Sequence, residues 1–172
     1  VGKDADAGAT DSGQDMPGAW YYEQQLLGFN YRITDIQAVL GLSQLSRLEQ
    51  YVTRRNELAT RYDHGLAGLA LQLPTISKAN RSSWHLYVVR VKSDTTRRPV
   101  FDALRAAGVG VNVHYVPVHL QPYYRDLGFT PGQFPESEAY GRSAITLPLY
   151  PTLTNDEQDR VIRTLTAVLR NS

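Results

Sequence analysis

Apolar residues recur at helical spacing between residue 34 and about residue 68. Thr34 can cap the first turn while the Gln37 side chain reaches back, the T-x-x-Q capping box that marks a helix start. The stripe that follows predicts one long amphipathic helix, bent or broken near Leu48, that packs against a sheet. Its apolar positions are Ile36, Val39, Leu40, Leu45, Leu48, Val52, Leu58, Ala59, Tyr62 and Leu66.

Short apolar runs predict a small sheet of three or four strands. The runs LALQLP (69–74) and VGVNVHYV (109–116) predict strands, the second leading directly into Pro117. SSWHLYVVRV (82–91) is apolar on both faces, which predicts a central strand, and ITLPLYP (145–151) predicts a further extended segment.

Three more helices complete an α+β pattern. Pro99 to Ala107 has one apolar side and Gly108 as its C-cap, and a short helix is predicted over about 136–143. The last helix begins with a second capping box, Thr154 with Glu157. The Pro- and Tyr-rich stretch between residues 117 and 135 is predicted to be mostly loop.

The composition fits one domain with a hydrophobic core, since 42% of the 172 residues are hydrophobic and 20% are charged. The net charge of +1, without a basic run, gives no indication of nucleic acid or an anionic membrane as a partner. The sequence contains no cysteine, no signal peptide and no apolar run near the ~20 residues of a membrane span, so we expect a cytoplasmic protein.

Residues 1–19 are small, acidic and Gly-rich, and we expect a flexible segment ahead of a domain over residues 20–172. The chain begins at Val1 rather than Met, which suggests a processed product or a piece of something longer. It has three lysines, Lys3, Lys78 and Lys92, against fifteen arginines.

Two groups of residues are candidates for chemistry. In GFNYR (28–32), the Asn30 amide and the Arg32 guanidinium have the donors that suit phosphate. The alternative is that Asn30 tolerates an unusual backbone angle after Gly28 while Arg32 forms a surface ion pair. Walker-type, G-x-S-x-G and H-E-x-x-H motifs are absent from the sequence.

The second group is HYVPVHLQPYY (114–124), at the end of a predicted strand. His114 and His119 can hydrogen-bond a sugar hydroxyl or a diphosphate, or be structural, and without an evident third ligand they predict no metal site. The tyrosines Tyr115, Tyr123 and Tyr124 can stack on a base or fill core space.

The order of these segments resembles the DegT/StrS family of nucleotide-sugar aminotransferases. The resemblance covers roughly residues 20–170 and is strongest for the subgroup of pseudaminic acid biosynthesis, which acts on a UDP-linked 4-keto-6-deoxy-N-acetyl hexose. The matching segments are GFNYRITDIQAVLGLSQLSRLEQYVTRRNELATRY (28–62), SSWHLYVVRV (82–91), VFDALRAAGVGVNVHYVPVHLQPYYRDLGF (100–129), FPESEAYGRSAITLPLYPTLT (134–154) and QDRVIRTL (158–165).

The resemblance implies the C-terminal small domain of a fold-type I enzyme that uses pyridoxal 5'-phosphate (PLP), with glutamate as amino donor. It also implies a homodimer whose active sites are shared between subunits. Asn30 would then reach the cofactor phosphate of the neighbouring subunit, with Arg32 as a further cofactor or substrate contact. The implied substrate-binding residues are Tyr31, His114, Tyr115, His119 and Tyr123.

The family's cofactor lysine precedes the Asn loop, in the large N-terminal domain. Lys3 lacks the Gly-rich sequence that follows that lysine, and Lys78 and Lys92 come after the loop. We therefore expect no catalytic residue in this chain and no turnover by it alone. Two alternatives stay open: a PLP-dependent sugar dehydratase of the same family, and a non-catalytic domain that binds a nucleotide sugar or a partner.

Overall fold

The computed structural model describes residues 26–29, 31–92 and 97–170. Its helices are α1 (Asp35–Leu45), α2 (Leu48–Gly65), α3 (Arg97–Ala106), α4 (Pro122–Asp126), α5 (Pro135–Ser143) and α6 (Asn155–Arg170). The strands are β1 (Leu71–Gln72), β2 (Tyr87–Val91) and β3 (Ala144–Leu147), and a 3-10 turn spans Val118–Leu120. The predicted flexible segment 1–19 lies outside the described residues.

The sheet has the order β1-β2-β3 with antiparallel pairs throughout. As predicted, β2 is the central strand, and it buries Tyr87, Val89 and Val91 at alternate positions. Within the described residues, three of the predicted three or four strands form.

The predicted strand at 109–116 is wrong except for one bridge, in which Asn112 and Thr146 exchange backbone hydrogen bonds of 3.2 and 2.8 Å. Gly108, the predicted C-cap, follows the end of α3 and has a φ of +75°. Immediately after the bridge, the Asn112 side chain accepts a 2.8 Å hydrogen bond from the Val113 amide. This local bond competes with the ladder, and Pro117 has no amide to extend it.

The prediction that residues 117–135 are mostly loop is wrong in part, because the 3-10 turn and α4 lie within this stretch. Pro122 stands at the first position of α4. Its fixed φ suits a helix start and its missing amide hydrogen costs nothing there.

The core lies between the sheet and the helices α2, α3 and α6. Tyr62 of α2 packs on Tyr87 of β2 with ring centroids 4.8 Å apart, and Trp84 lies 5.4 Å from the same ring. The residues without exposed surface include Leu58, Tyr62, Tyr87, Val89, Val100, Leu104, Ile145 and Leu165.

The predicted break in the long helix is confirmed, because α1 ends at Leu45 and α2 begins at Leu48. At the break the Ser46 hydroxyl donates to the Ser43 carbonyl at 2.9 Å. The expectation that the whole stripe packs against the sheet is correct only for α2. That helix buries Leu58, Ala59 and Tyr62, whereas α1 has no buried residue.

Both predicted capping boxes form. The Thr34 amide donates to Gln37 at 3.0 Å and the Gln37 amide to Thr34 at 3.3 Å, and the Thr154 and Glu157 bonds measure 2.8 and 3.2 Å. In the described part of the chain, no helix has the length and apolarity that crossing a membrane requires.

Candidate functional site

The loop before α1 is exposed wherever the structure describes it. Phe29 and Tyr31 stack with ring centroids 5.1 Å apart, yet they are 83% and 86% exposed. Arg32 is also exposed, while Asn30, the predicted phosphate contact, lies outside the described residues. The roles of Asn30, Tyr31 and Arg32 therefore stay predictions.

His114 lies in a polar cluster beside β3. Its Nδ1 is 2.8 Å from the Thr146 hydroxyl oxygen, and its Nε2 is 3.3 Å from the Asn112 side-chain nitrogen. Because the Asn112 side-chain oxygen already accepts from the Val113 amide, its nitrogen is the atom that faces the ring. Nε2 is then an acceptor and Nδ1 the donor to Thr146, an assignment that rests on the hydrogen-bond pattern. This arrangement suits a neutral imidazole.

Two of the predicted substrate tyrosines face solvent. Tyr115 is 69% exposed and meets the His114 ring edge-on at 4.6 Å. Tyr123, on α4, is 68% exposed and meets Tyr124 edge-on at 5.3 Å. Within the described residues, Tyr115 and Tyr123 are therefore not part of the core, and their roles in substrate binding stay predictions.

His119 differs from these residues because it is only 6% exposed. Its Nε2 lies 2.9 Å from Glu138 Oε1, and its ring packs on Phe134 at 4.8 Å. The geometry favours the structural alternative for His119 over direct contact with a sugar nucleotide.

Glu138 is the residue that the sequence did not assign to the site. It lies in the first turn of α5, where a carboxylate is explained by the helix dipole, but it is only 9% exposed. It accepts from His119 and, at 2.6 Å, from the Gly132 amide, and Arg142 approaches it at 3.8 Å. The hydrogen bond from His119, followed by that from Gly132, lowers the pKa of Glu138 below its ordinary value.

A cavity of about 410 Å³ adjoins Glu138. Its lining combines apolar side chains of the 113–120 stretch with two guanidinium groups and the Glu138 carboxylate. The lining residues are Arg97, Val113, Val116, Pro117, Leu120, Glu138, Gly141 and Arg142.

Lys78 lies in a turn after β1 and Lys92 directly after β2, both exposed, and Lys3 is outside the described residues. By residue type, the Asn30 amide and the Arg32 guanidinium supply hydrogen-bond donors of the kind that the phosphate group of PLP accepts. The described residues contain no group of three or more His, Cys, Asp or Glu side chains that could hold a metal ion.

Comparison with known proteins identifies the family. The sequence profile of the DegT/DnrJ/EryC1/StrS aminotransferase family matches residues 10–166. The chain is 36% identical over 161 residues to the spore coat polysaccharide biosynthesis protein SpsC of Bacillus subtilis, covering 90% of this chain and 41% of SpsC. The chain belongs to the DegT/DnrJ/EryC1/StrS aminotransferase family, which confirms the resemblance at the level of the family.

Solved structures agree on the fold. Spr1654 of Streptococcus pneumoniae, a candidate sugar aminotransferase in its PMP form, matches with a TM-score of 0.80 and 35% identity, covering 88% of this chain and 39% of that one. DesV of S. venezuelae matches with a TM-score of 0.78 and 32% identity, covering 87% and 40%. PseC of Helicobacter pylori, an aminotransferase of pseudoaminic acid biosynthesis, matches at 24% identity with a TM-score of 0.77, covering 91% and 43%, and so supports the fold alone. The α+β architecture predicted from the sequence is thus confirmed, and the chain spans about two fifths of the length of these relatives.

Proposed function

From its family membership, we propose that the intact protein is a PLP-dependent aminotransferase that acts on a nucleotide-linked keto sugar. It would transfer an amino group from glutamate to the C4 ketone of the sugar. The match over residues 10–166 supports this, as do the PLP and PMP forms of Spr1654. When bound, PLP supplies the electron sink that lets an amino group move between carbon atoms.

The observation that favours a substrate-facing role is the exposure of Tyr115 and Tyr123, at 69% and 68%. A tyrosine outside the core offers a flat apolar face to a base and a phenol to a sugar hydroxyl. His114, whose ring meets that of Tyr115 edge-on at 4.6 Å, is held by Thr146 and Asn112. We propose that these three side chains face the nucleotide sugar, with Tyr31 as a further contact.

The exposed loop before α1 would serve the cofactor. Arg32 has the planar set of donors that suits a phosphate, and Asn30 has two amide donors. We propose that both contact the cofactor phosphate across a homodimer interface. Such a shared site accounts for phosphate-binding side chains on a segment that packs little against its own domain.

The apolar residues of α1 support a domain that works within a larger enzyme. Ile36, Val39 and Leu42 are 75%, 66% and 70% exposed, on a helix that buries nothing. A free-standing binding domain would expose such a patch to water, where it favours association. We propose that α1 docks on a large domain of the intact enzyme, consistent with the 41% of SpsC that this chain spans.

An amino-transfer assay on the intact protein tests the function. The protein, PLP, ¹⁵N-labelled glutamate and a UDP-4-keto-6-deoxy-N-acetyl hexose are combined, and mass spectrometry follows the label into the sugar. Transfer to this sugar supports the pseudaminic-type substrate, and transfer to another nucleotide sugar alone supports only the wider class. Loss of oxygen without gain of nitrogen contradicts the proposal and favours the dehydratase, and binding without reaction favours the non-catalytic domain.

Variants connect the activity to the proposed site. We expect Y115A to raise KM for the nucleotide sugar by about tenfold, because it removes a stacking face. Val118, which is 61% exposed in the same stretch, provides the matched control V118A, with KM expected to stay unchanged. Equal KM values for Y115A and V118A would contradict the assignment of Tyr115.

A further inference from the structure

The Glu138 carboxylate on α5 accepts hydrogen bonds from two separate loops. Glu138 Oε1 lies 2.9 Å from His119 Nε2, at the 3-10 turn, and accepts at 2.6 Å from the Gly132 amide. Glu138 and His119 are only 9% and 6% exposed, so their hydrogen bond is shielded from competing water. Removing the carboxylate would leave the buried His119 ring and the more exposed Gly132 amide without this acceptor, which disfavours the present loop positions.

A second contact between α5 and the same stretch lies three residues further along the helix. A Cβ atom added to Gly141 would come within 2.8 Å of Pro117 Cδ, closer than side chains pack. Positions three apart on a helix share one face, so Glu138 and Gly141 lie on the same face of α5, which contacts the stretch 117–119. Pro117 lies against Gly141, and His119 bonds to Glu138.

The other end of this stretch is fixed by β3 through the Asn112–Thr146 bridge. Between the two anchors, residues 113–117 contain His114 and the exposed Tyr115 and Val116. The segment 113–117 is therefore held at both ends, and the rings of His114 and Tyr115 are presented from its middle.

We propose that His119 and Glu138 are positioning residues, which anchor the 113–117 segment on α5 and so set where His114 and Tyr115 meet the nucleotide sugar. The part that concerns the sugar rests on the proposed function, whereas the anchoring does not. His119 thus acts through the segment rather than by touching substrate. Side chains that bind a ligand need such support, since small displacements are costly for binding and catalysis.

Hydrogen exchange on the intact protein tests the anchoring. In E138A we expect the amides of Leu120, Gln121 and Gly132 to exchange about tenfold faster than in the wild type, relative to the amides of β2. E138Q keeps an oxygen that can accept from His119 and Gly132, so we expect it to recover most of the protection. Exposed Glu136 on the same helix gives the matched control E136A, with exchange expected to be unchanged.

Calorimetric titration with UDP alone tests the link to the ligand. We expect E138A to weaken UDP binding by about tenfold, E138Q to recover it and E136A to match the wild type. A change in fold stability alone would move the β2 amides together with the loop amides. The ratio between the two sets of amides separates positioning from general destabilisation.

The outcomes distinguish this inference from the proposed function. Equal relative exchange in E138A and E136A overturns the anchoring, and faster exchange with unchanged UDP affinity overturns the positioning of the ligand contacts. If the wild type binds no UDP while exchange still rises, the UDP-linked substrate of the proposed function fails and the anchoring stands. Should E138A not fold, G141A displaces Pro117 without removing a buried charge, and unchanged exchange at Leu120 and Gln121 would then overturn the anchoring.

Discussion

The helices α1 and α2 follow one another along the chain, yet α1 buries none of its residues whereas α2 buries Leu58, Ala59 and Tyr62. We refer to residues 26–29 and 31–47 as the outer region and to residues 48–92 and 97–170 as the packed region. An isolated helix as short as the 11 residues of α1 is marginal in water, so tertiary contacts ordinarily stabilise it. The difference shows that an apolar stripe encodes a contact surface without specifying whether its partner lies in the same domain.

Truncation of a leucine should give the largest difference between the two regions. Leu104 is 0% exposed, and we expect L104A to lower the free energy of unfolding by about 2–5 kcal/mol. Leu40 is 62% exposed, and L40A should change it by no more than about 0.5 kcal/mol. Urea denaturation of the chain measures both, and equal costs would mean that α1 is packed in solution.

The two capping boxes offer a matched pair at a smaller scale. T154A removes the cap of α6, which packs on the core, and should lower the free energy of unfolding by about 1 kcal/mol. T34A removes the same kind of cap from α1, so it should reduce the helical circular dichroism signal and leave the unfolding of the packed region nearly unchanged. A global loss in T34A as large as that in T154A would show that the outer region unfolds together with the core.

Glycine substitutions sharpen the same comparison. Alanine ordinarily stabilises a helix interior relative to glycine by roughly 0.5–1 kcal/mol. Gly41 of α1 has nothing within 4 Å of an added Cβ, so G41A should raise helicity without loss of stability. Gly141 of α5 has Pro117 Cδ at 2.8 Å, so G141A should lower the midpoint of thermal unfolding. A higher midpoint in G141A would contradict the close contact.

The pH dependence of stability should depend on Glu138 in the packed region. Hydrogen bonds from His119 and Gly132 hold its pKa below the ordinary value of 4.5. The stabilisation is therefore present above pH 4.5 and is lost as the pH falls through the lower folded-state pKa. Glu49 and Glu157, whose pKa values are also lowered, contribute in the same direction.

Thermal unfolding of the wild type and E138Q between pH 7 and pH 3 measures the contribution of Glu138 to the pH dependence of stability. We expect a smaller acid-induced fall in the midpoint for E138Q, because glutamine does not titrate, while E136Q should follow the wild type. Identical profiles for the wild type and E138Q would show that Glu138 titrates with the same pKa in the folded and unfolded chain.

Local signals were predicted well. The Thr34 and Thr154 caps each depend on a residue three positions away, and both form as expected. The central strand β2 was found because its apolar run is specific to a buried sheet position. The strand predicted at 109–116 failed because the Asn112 side chain bonds the next amide, a competition that hydrophobic pattern does not show.

The roles of the candidate site residues stay predictions, and the structure shows only their surroundings. The exposed Tyr115 and Tyr123 had been singled out by residue type and by their place after an expected strand. The sequence could not separate His114 from His119, since each is a histidine next to a valine and within three residues of Pro117. No linear signal paired His119 with Glu138, because the two are 19 residues apart and meet only when α5 packs on the 3-10 turn.

By itself, the sequence determined the helix caps, the central strand and the family, because capping, hydrophobic spacing and a collinear series of motifs can be recognised along the chain without knowing its tertiary contacts. Tertiary structure alone decided which apolar stripe is buried, which histidine is buried and what Glu138 binds. Burial and hydrogen-bond partnership depend on residues that are distant in sequence, and their positions are fixed only once the helices and the sheet pack together.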